Sequence, residues 1–234
     1  MKVAIMQPYF LPYIGYWQLI NAVDKFVIYD DVNFIKRGWI NRNNILVNGQ
    51  SKLFNVRLNK VSQNKLINEI EVSHDLNYNE DLLKTIGASY SKAPFIEKVF
   101  PIVESVINQT EKNLAKYLEF SIKEVCRYLS IDTEIINSSE IPKRSGLKGQ
   151  AKIIEICNLL SSEQYINPIG GQSLYSNLDF ELHGIELKFL KTNDIRYPQF
   201  VKNKFVPNLS ILDVMMFNSL EQINLMLDDF ELIY

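Results

Sequence analysis

The first 29 residues constrain the fold more than any other part of the chain. A short apolar run, Val3 to Met6, is followed by Ile14 to Val23, with Leu19, Ile20 and Val23 at helical spacing, and then by a second apolar run, Phe26 to Tyr29. Two strands joined by one helix lie parallel with a right-handed crossover. An α/β, Rossmann-like parallel sheet is therefore expected. Asn48-Gly49, between Ile45-Leu46-Val47 and Lys52 to Arg57, predicts a hairpin, because both turn residues tolerate positive φ. From about Asn77 to Ile131 the apolar spacing is helical, with Thr110-Glu111 read as a helix start. Short strands are expected at Ile135-Ile136, Gln164 to Asn167 and Ile185 to Leu190, and helices at Gly149 to Leu160, Ser210 to Met216 and Leu220 to Leu227. No linker or repeat interrupts the pattern, so the expectation is one α/β domain over residues 1–234 with a helical insert at about 77–131.

Composition narrows the function classes. Hydrophobic residues make up 47% and charged residues 22%, which supports a sizeable core. The balance of 25 basic against 27 acidic residues, net charge -2, offers no bulk field for a polyanion. Cys126 and Cys157 sit alone in apolar helical patterns, so neither a disulfide scaffold nor a metal site is expected. His74 and His183 have no nucleophile context, which disfavours a hydrolytic triad. The N-terminus does not read as a signal peptide and no apolar run is long enough to span a bilayer, so a cytoplasmic location is expected.

Several segments carry more chemistry than packing requires. Gln7 to Trp17 lies where a parallel strand gives way to a helix, a position where open α/β sheets bind ligands. Pro8 and Pro12 restrict this loop, Gly15 permits close approach, and Tyr9, Tyr13 and Tyr16 offer hydroxyls on planes suited to stacking a base or sugar. Gln7, Tyr9, Tyr13, Gly15 and Tyr16 are thus candidate substrate-binding residues, while Phe10, Leu11 and Trp17 read as core. Tyr29 to Asn44 holds two of the chain's six arginines, Arg37 and Arg42, with Lys36, the adjacent acids Asp30 and Asp31, and several amides. Arginine suits a bidentate grip on phosphate or carboxylate, and paired acids suit an ammonium or a magnesium ion beside a nucleotide. Asp30, Asp31 and Lys36 are the candidate catalytic groups; Arg37, Asn41, Arg42 and Asn43 are candidate binding groups. A solvated turn with internal ion pairs is the bland alternative.

Pro142 to Gln150 is a basic, glycine-containing helix start whose Arg144 and Lys148 could meet phosphate, although its glycines do not match a P-loop. Gly170 and Gly171 follow a strand and permit backbone approach. Ser210 reads as a helix cap with Asp213 completing a weak capping box. Because consecutive parallel strands deliver their loops to one sheet edge, Gln7, Tyr13, Tyr16, Asp30, Lys36, Arg37, Asn41 and Arg42 are expected to line one pocket.

The run MQPYFLPYIGYWQLI, then DKFVIYDDVNFIKRGWINRN, YINPIGGQSLY and FVPNLSILDVMMFN resemble the WbqC-like family along nearly the whole chain. The resemblance implies a role in O-antigen, lipopolysaccharide or other surface-polysaccharide biosynthesis: transfer of an acyl group, glycyl in the family's proposed activity, to the amine of a nucleotide-linked deoxyamino sugar. It carries no assigned residue roles. The amino-acid donor is either glycine activated by ATP and magnesium through an acyl adenylate, or a preactivated thioester or charged tRNA. Pro12 to Tyr16 also looks like the H-x-G-H loop of nucleotidylyltransferase-type folds, with Tyr13 and Tyr16 in place of both histidines. A neutral phenol stabilises a transferring phosphate less well than imidazolium, which weighs against ATP chemistry. A non-catalytic sugar-nucleotide binding or scaffold protein is the alternative from another class.

Overall fold

The computed structural model describes residues 1–200 and 204–234. The chain opens with β1 (Lys2–Met6), α1 (Ile14–Asn21) and β2 (Lys25–Ile28), and β1 pairs with β2 in parallel, Val3 opposite Lys25. An excursion follows: the antiparallel hairpin β3 (Arg42–Val47) and β4 (Gln50–Asn55), the two-residue pair β5 (Leu58–Asn59) and β6 (Glu71–Val72), and helices α2 (Leu76–Tyr90), α3 (Ile96–Asn108) and α4 (Leu114–Leu129). The hairpin turns on Asn48 and Gly49, with φ of 50° and 75°, as the Asn-Gly dipeptide predicts. Helix α4 starts later than Thr110-Glu111 suggests. Asn113 is its cap, accepting from the Lys116 backbone N–H, while Glu111 accepts from the Asn113 backbone N–H.

The chain then returns to the sheet as β7 (Glu134–Asn137), crosses by α5 (Gly149–Leu159) to β8 (Gln164–Pro168), and continues through α6 (Asn177–Glu181) to β9 (Glu186–Thr192). Helices α7 (Ile211–Phe217) and α8 (Leu220–Leu227) precede β10 (Phe230–Ile233), an antiparallel edge strand that the sequence pattern does not reveal. The six-stranded order is β10-β9-β8-β1-β2-β7, with every neighbour parallel except β10. In chain order this is 3-2-1-4-5-6, the doubly wound arrangement, and its strand order reverses between β1 and β8.

Strand alternation explains why both faces are covered. Ala4, Phe26, Ile28 and Ile166 point into a core shared with α1, α4, α7 and α8, whereas Val3, Ile5, Val27 and Tyr165 point into a second core with α5 and α6. Helices α2 and α3 extend the first core away from the sheet. Among the described residues no helix is long and apolar enough to cross a membrane.

Candidate functional site

Where the strand order reverses, the loops after β1 and β8 part and leave a cleft of about 430 Å³. Tyr9, Pro12 and Tyr13 come from the loop after β1, Ile169 from the residue after β8, and Leu190 and Thr192 from the end of β9. Trp39 and Asn43 reach it from the excursion, and Asn208 from the segment before α7. Tyr13 and Trp39 expose 36% and 48% of their surface, so two aromatic planes are open to a ligand. Burial pushes the pKa of both Tyr9 and Tyr13 up, and in Tyr13 a hydrogen bond with Thr192 counters only part of this; both are neutral phenols at physiological pH. Among the described residues no carboxylate, histidine, lysine or arginine lines the cleft.

The loop beneath it is held under strain. Leu11 has φ of 43°, left-handed backbone that a leucine rarely adopts and that costs on the order of 1–2 kcal/mol. Distant groups over-determine it. The buried Asn43 amide donates to the Leu11 carbonyl at 2.9 Å and the Phe10 carbonyl at 3.3 Å, and Ser210 Oγ donates to the Leu11 carbonyl at 2.7 Å. Trp17 Nε1 and the Ile211 backbone N–H both donate to the Pro12 carbonyl, at 3.0 and 2.9 Å. Asn43 is therefore a support of the loop as well as a wall of the cleft. Gly15 sits underneath: a Cβ there would meet Thr192 Oγ1 at 2.5 Å and the Tyr13 ring at 2.6 Å. Gly15→Ala is expected to keep the fold but displace Tyr13, lowering affinity for any cleft ligand several-fold, roughly 1 kcal/mol. Calorimetric titration compared with wild type measures this, and unchanged affinity would show that Tyr13 is not a contact.

The structure does not gather the other expected site residues here. Tyr16 is buried in the core, its hydroxyl donating to the Gln7 carbonyl at 3.0 Å, so burial between α1 and the sheet corrects its assignment to the pocket. Gln7 is half-buried at the end of β1 and is not among the lining residues. Asp30 is 3% exposed and accepts from Ser139 N at 2.9 Å, Ser139 Oγ at 2.5 Å and Asn68 Nδ2 at 3.3 Å, fastening the turn after β7 to the end of β2. Asp31 forms a triad with Lys143 and Lys152, Nζ–Oδ distances 2.8 and 2.9 Å. Burial alone would raise its pKa, but the paired ammonium groups of Lys143 and Lys152 outweigh that and hold it below the usual value. Lys152 also donates to the Asp31 carbonyl at 2.8 Å and lies 4.7 Å from the centroid of the Tyr29 ring. Both acids are thus engaged by the protein itself.

Lys36, Arg37, Asn41 and Arg42 line a separate open groove of about 480 Å³ between the 34–42 loop and the hairpin. The separation has a simple cause: successive residues of a strand face opposite sides, so Arg42 turns to the groove and Asn43 to the cleft. Arg144 pairs with Glu155 at 2.6 Å on the surface, and Lys148 is the exposed residue preceding α5. A Cβ on Gly170 would meet open space, whereas one on Gly171 would run into the Asn167 side chain.

Sequence reasoning missed a further polar centre. Asp213, read as part of a helix cap, is fully buried and accepts from Tyr197 OH at 2.7 Å, Tyr90 OH at 2.9 Å and Gln199 Nε2 at 2.6 Å. Tyr90 OH in turn accepts from the Leu46 backbone N–H at 3.0 Å. This network ties the segment before α7, which carries Asn208, to α2 and the hairpin. Burial raises the Asp213 pKa, and the three donors offset only part of that rise. Thr192 and Leu190 carried no motif; only the strand order places them at the cleft. Among the described residues no cluster of three or more His, Cys, Asp or Glu could hold a metal ion.

The profile of the WbqC-like protein family matches residues 7–225, from the loop after β1 to α8. The chain belongs to the WbqC-like family. A curated protein of Mycobacterium tuberculosis, named "Uncharacterized protein Rv1507c", is 25% identical over 216 residues, covering 92% of each chain. No solved structure matches the chain. The WbqC-like match takes in every residue lining the cleft, and the cleft's walls come from segments spread across it, from Tyr9 to Asn208.

Proposed function

We propose that this WbqC-like protein binds the sugar part of a nucleotide-linked deoxyamino sugar in the cleft between β1 and β8 and transfers an acyl group, glycyl in the leading case, to the sugar amine. The observation that carries this reading is the lining: open aromatic planes, apolar walls and amide or hydroxyl side chains, without fixed charge among the described residues. Such walls suit the apolar face and scattered hydroxyls of a deoxy sugar. In the reaction the neutral amine attacks an activated acyl carbonyl, the C–N bond forms, the bond to the leaving group breaks, and the amine proton ends on that group or on water. Membership of a family associated with surface-polysaccharide synthesis supports the substrate class. Asp30 and Asp31, the acids that would share a magnesium ion with a nucleotide, have their oxygens taken by Ser139, Asn68, Lys143 and Lys152, so this pair does not fit magnesium-bound ATP. A donor that arrives already activated suits the site better.

The decisive experiment incubates the pure protein with a nucleotide-linked amino sugar and each glycyl donor in turn, including glycine with ATP and magnesium, and reads the glycyl adduct by mass spectrometry. Trp39→Ala and Tyr13→Ala are each expected to weaken acceptor binding about tenfold, the scale of losing one stacking face. Binding without an adduct from any donor would favour a non-catalytic sugar-nucleotide binder. The absence of an acid-base group stronger than a phenol from the described cleft lining is the specific observation on that side.

A further inference from the structure

We propose that the groove between the 34–42 loop and the β3–β4 hairpin is a second binding site, specific for the phosphate groups of a ligand. Lys36, Arg37 and Arg42 line it together, and no carboxylate lies within ion-pair distance of any of them among the described residues. Three uncompensated cations around one concavity repel each other, and a bound anion relieves that repulsion. In a chain of net charge -2 the concentration is local.

The turn is built to present these charges. Arg42 donates from Nε to the Gly38 carbonyl at 2.8 Å and from a terminal nitrogen to the Arg37 carbonyl, which fixes the guanidinium plane and leaves its other N–H groups unused. Arg37, whose carbonyl is held in this way, has φ of 63°, a left-handed conformation that a side-chain-bearing residue adopts at a cost. The Arg37 and Lys36 side chains make no hydrogen bond or ion pair of their own among the described residues. Phe34, Leu53, Leu58 and Val61 supply apolar walls, and Leu53 remains 49% exposed. Charge with apolar walls fits a phosphate joined to an organic group at least as well as a bare ion.

The test is calorimetric titration of the whole protein with sodium pyrophosphate and, separately, with ATP in the absence of magnesium. Saturable pyrophosphate binding is expected, weakening as salt is added and falling about tenfold or more in Arg37→Ala and in Lys36→Ala. These two variants remove side chains without hydrogen-bond partners, so folding is not at risk; Arg42→Lys, which keeps the charge but loses the fork, should fall by a similar factor. ATP displaced by pyrophosphate would identify a nucleotide's phosphates as the natural source, and pyrophosphate binding that ATP does not compete for would identify a smaller phosphate; either supports the site. Absence of saturable binding by either probe, or equal affinity in wild type, Arg37→Ala and Lys36→Ala, overturns it. The groove and the cleft lie on opposite faces of β3 and share no lining residue, so absence of pyrophosphate binding would leave the cleft reading intact.

Discussion

Asp31→Ala is expected to destabilise the protein by about 3–5 kcal/mol, because it leaves two buried ammonium groups without their shared carboxylate. Lys143 and Lys152 keep only 10% of their side-chain surface exposed, and Asp31 only 16%, so water cannot replace the lost partner without opening the structure. For a chain of this length each kcal/mol is worth roughly 2–4 °C in melting temperature, so a fall on the order of 10 °C should be visible by circular dichroism. Adding Lys143→Met to the variant should recover part of the loss by removing one orphaned charge. The pH dependence has a definite sign. The Asp31 pKa is lower in the folded state, so its contribution is complete above the unfolded value, about 3.9, and is lost as pH falls through the folded value. The gap between wild type and Asp31→Ala should therefore narrow below about pH 4. A gap under about 1 kcal/mol at neutral pH would mean that the triad is wetter than its geometry indicates.

Asp213→Ala is expected to cost about 3 kcal/mol or more, since Tyr90, Tyr197 and Gln199 would each lose an acceptor inside the protein. Loss of this anchor should also loosen the segment that carries Asn208 and lower affinity for a cleft ligand, which an alanine in an ordinary core position would not do. Here the pH effect runs the other way. The Asp213 pKa is raised on folding, so the folded state holds a proton more tightly, and the associated stability is lost as pH rises through the folded value. Asp213→Asn, which cannot titrate, should lack that slope between about pH 4 and the raised pKa. Chemical denaturation of both variants across this range checks it; wild-type stability in Asp213→Ala would show that the three donors find water instead.

Local rules made part of this molecule legible in advance. The first parallel pair followed from three short apolar runs, and the hairpin from Asn48-Gly49, because each depends on neighbours in sequence. The site was harder. Tyr9 and Tyr13, which line the cleft, are marked as candidates by their place after β1, and Asn43 by the amides and cations around it. Trp39 lies in the cation-rich 29–44 stretch and Asn208 in the run FVPNLSILDVMMFN, but neither carries a local signal of its own. Thr192 and Leu190 could be found only from the strand order, a long-range property of how β8 and β9 add beside β1. The acids Asp30, Asp31 and Asp213 look available in the sequence for a related reason: their partners lie 14 to 123 residues away on other elements, and only pairing within the fold engages them.

The alternation of β3 has an implication for how this chain can vary. Arg42 and Asn43 are adjacent, yet one belongs to a charged groove and the other pins the strained turn under a neutral cleft. Deleting or inserting a single residue within β3, between Asn43 and Val47, while the Asn48-Gly49 turn holds the hairpin, would exchange their directions, thrusting a guanidinium toward Leu11 and turning the amide out to solvent. One small length change would disable both surfaces at once, whereas paired insertions of two residues would preserve facing. Length variation in this stretch should therefore be tolerated, where it is tolerated at all, in even steps.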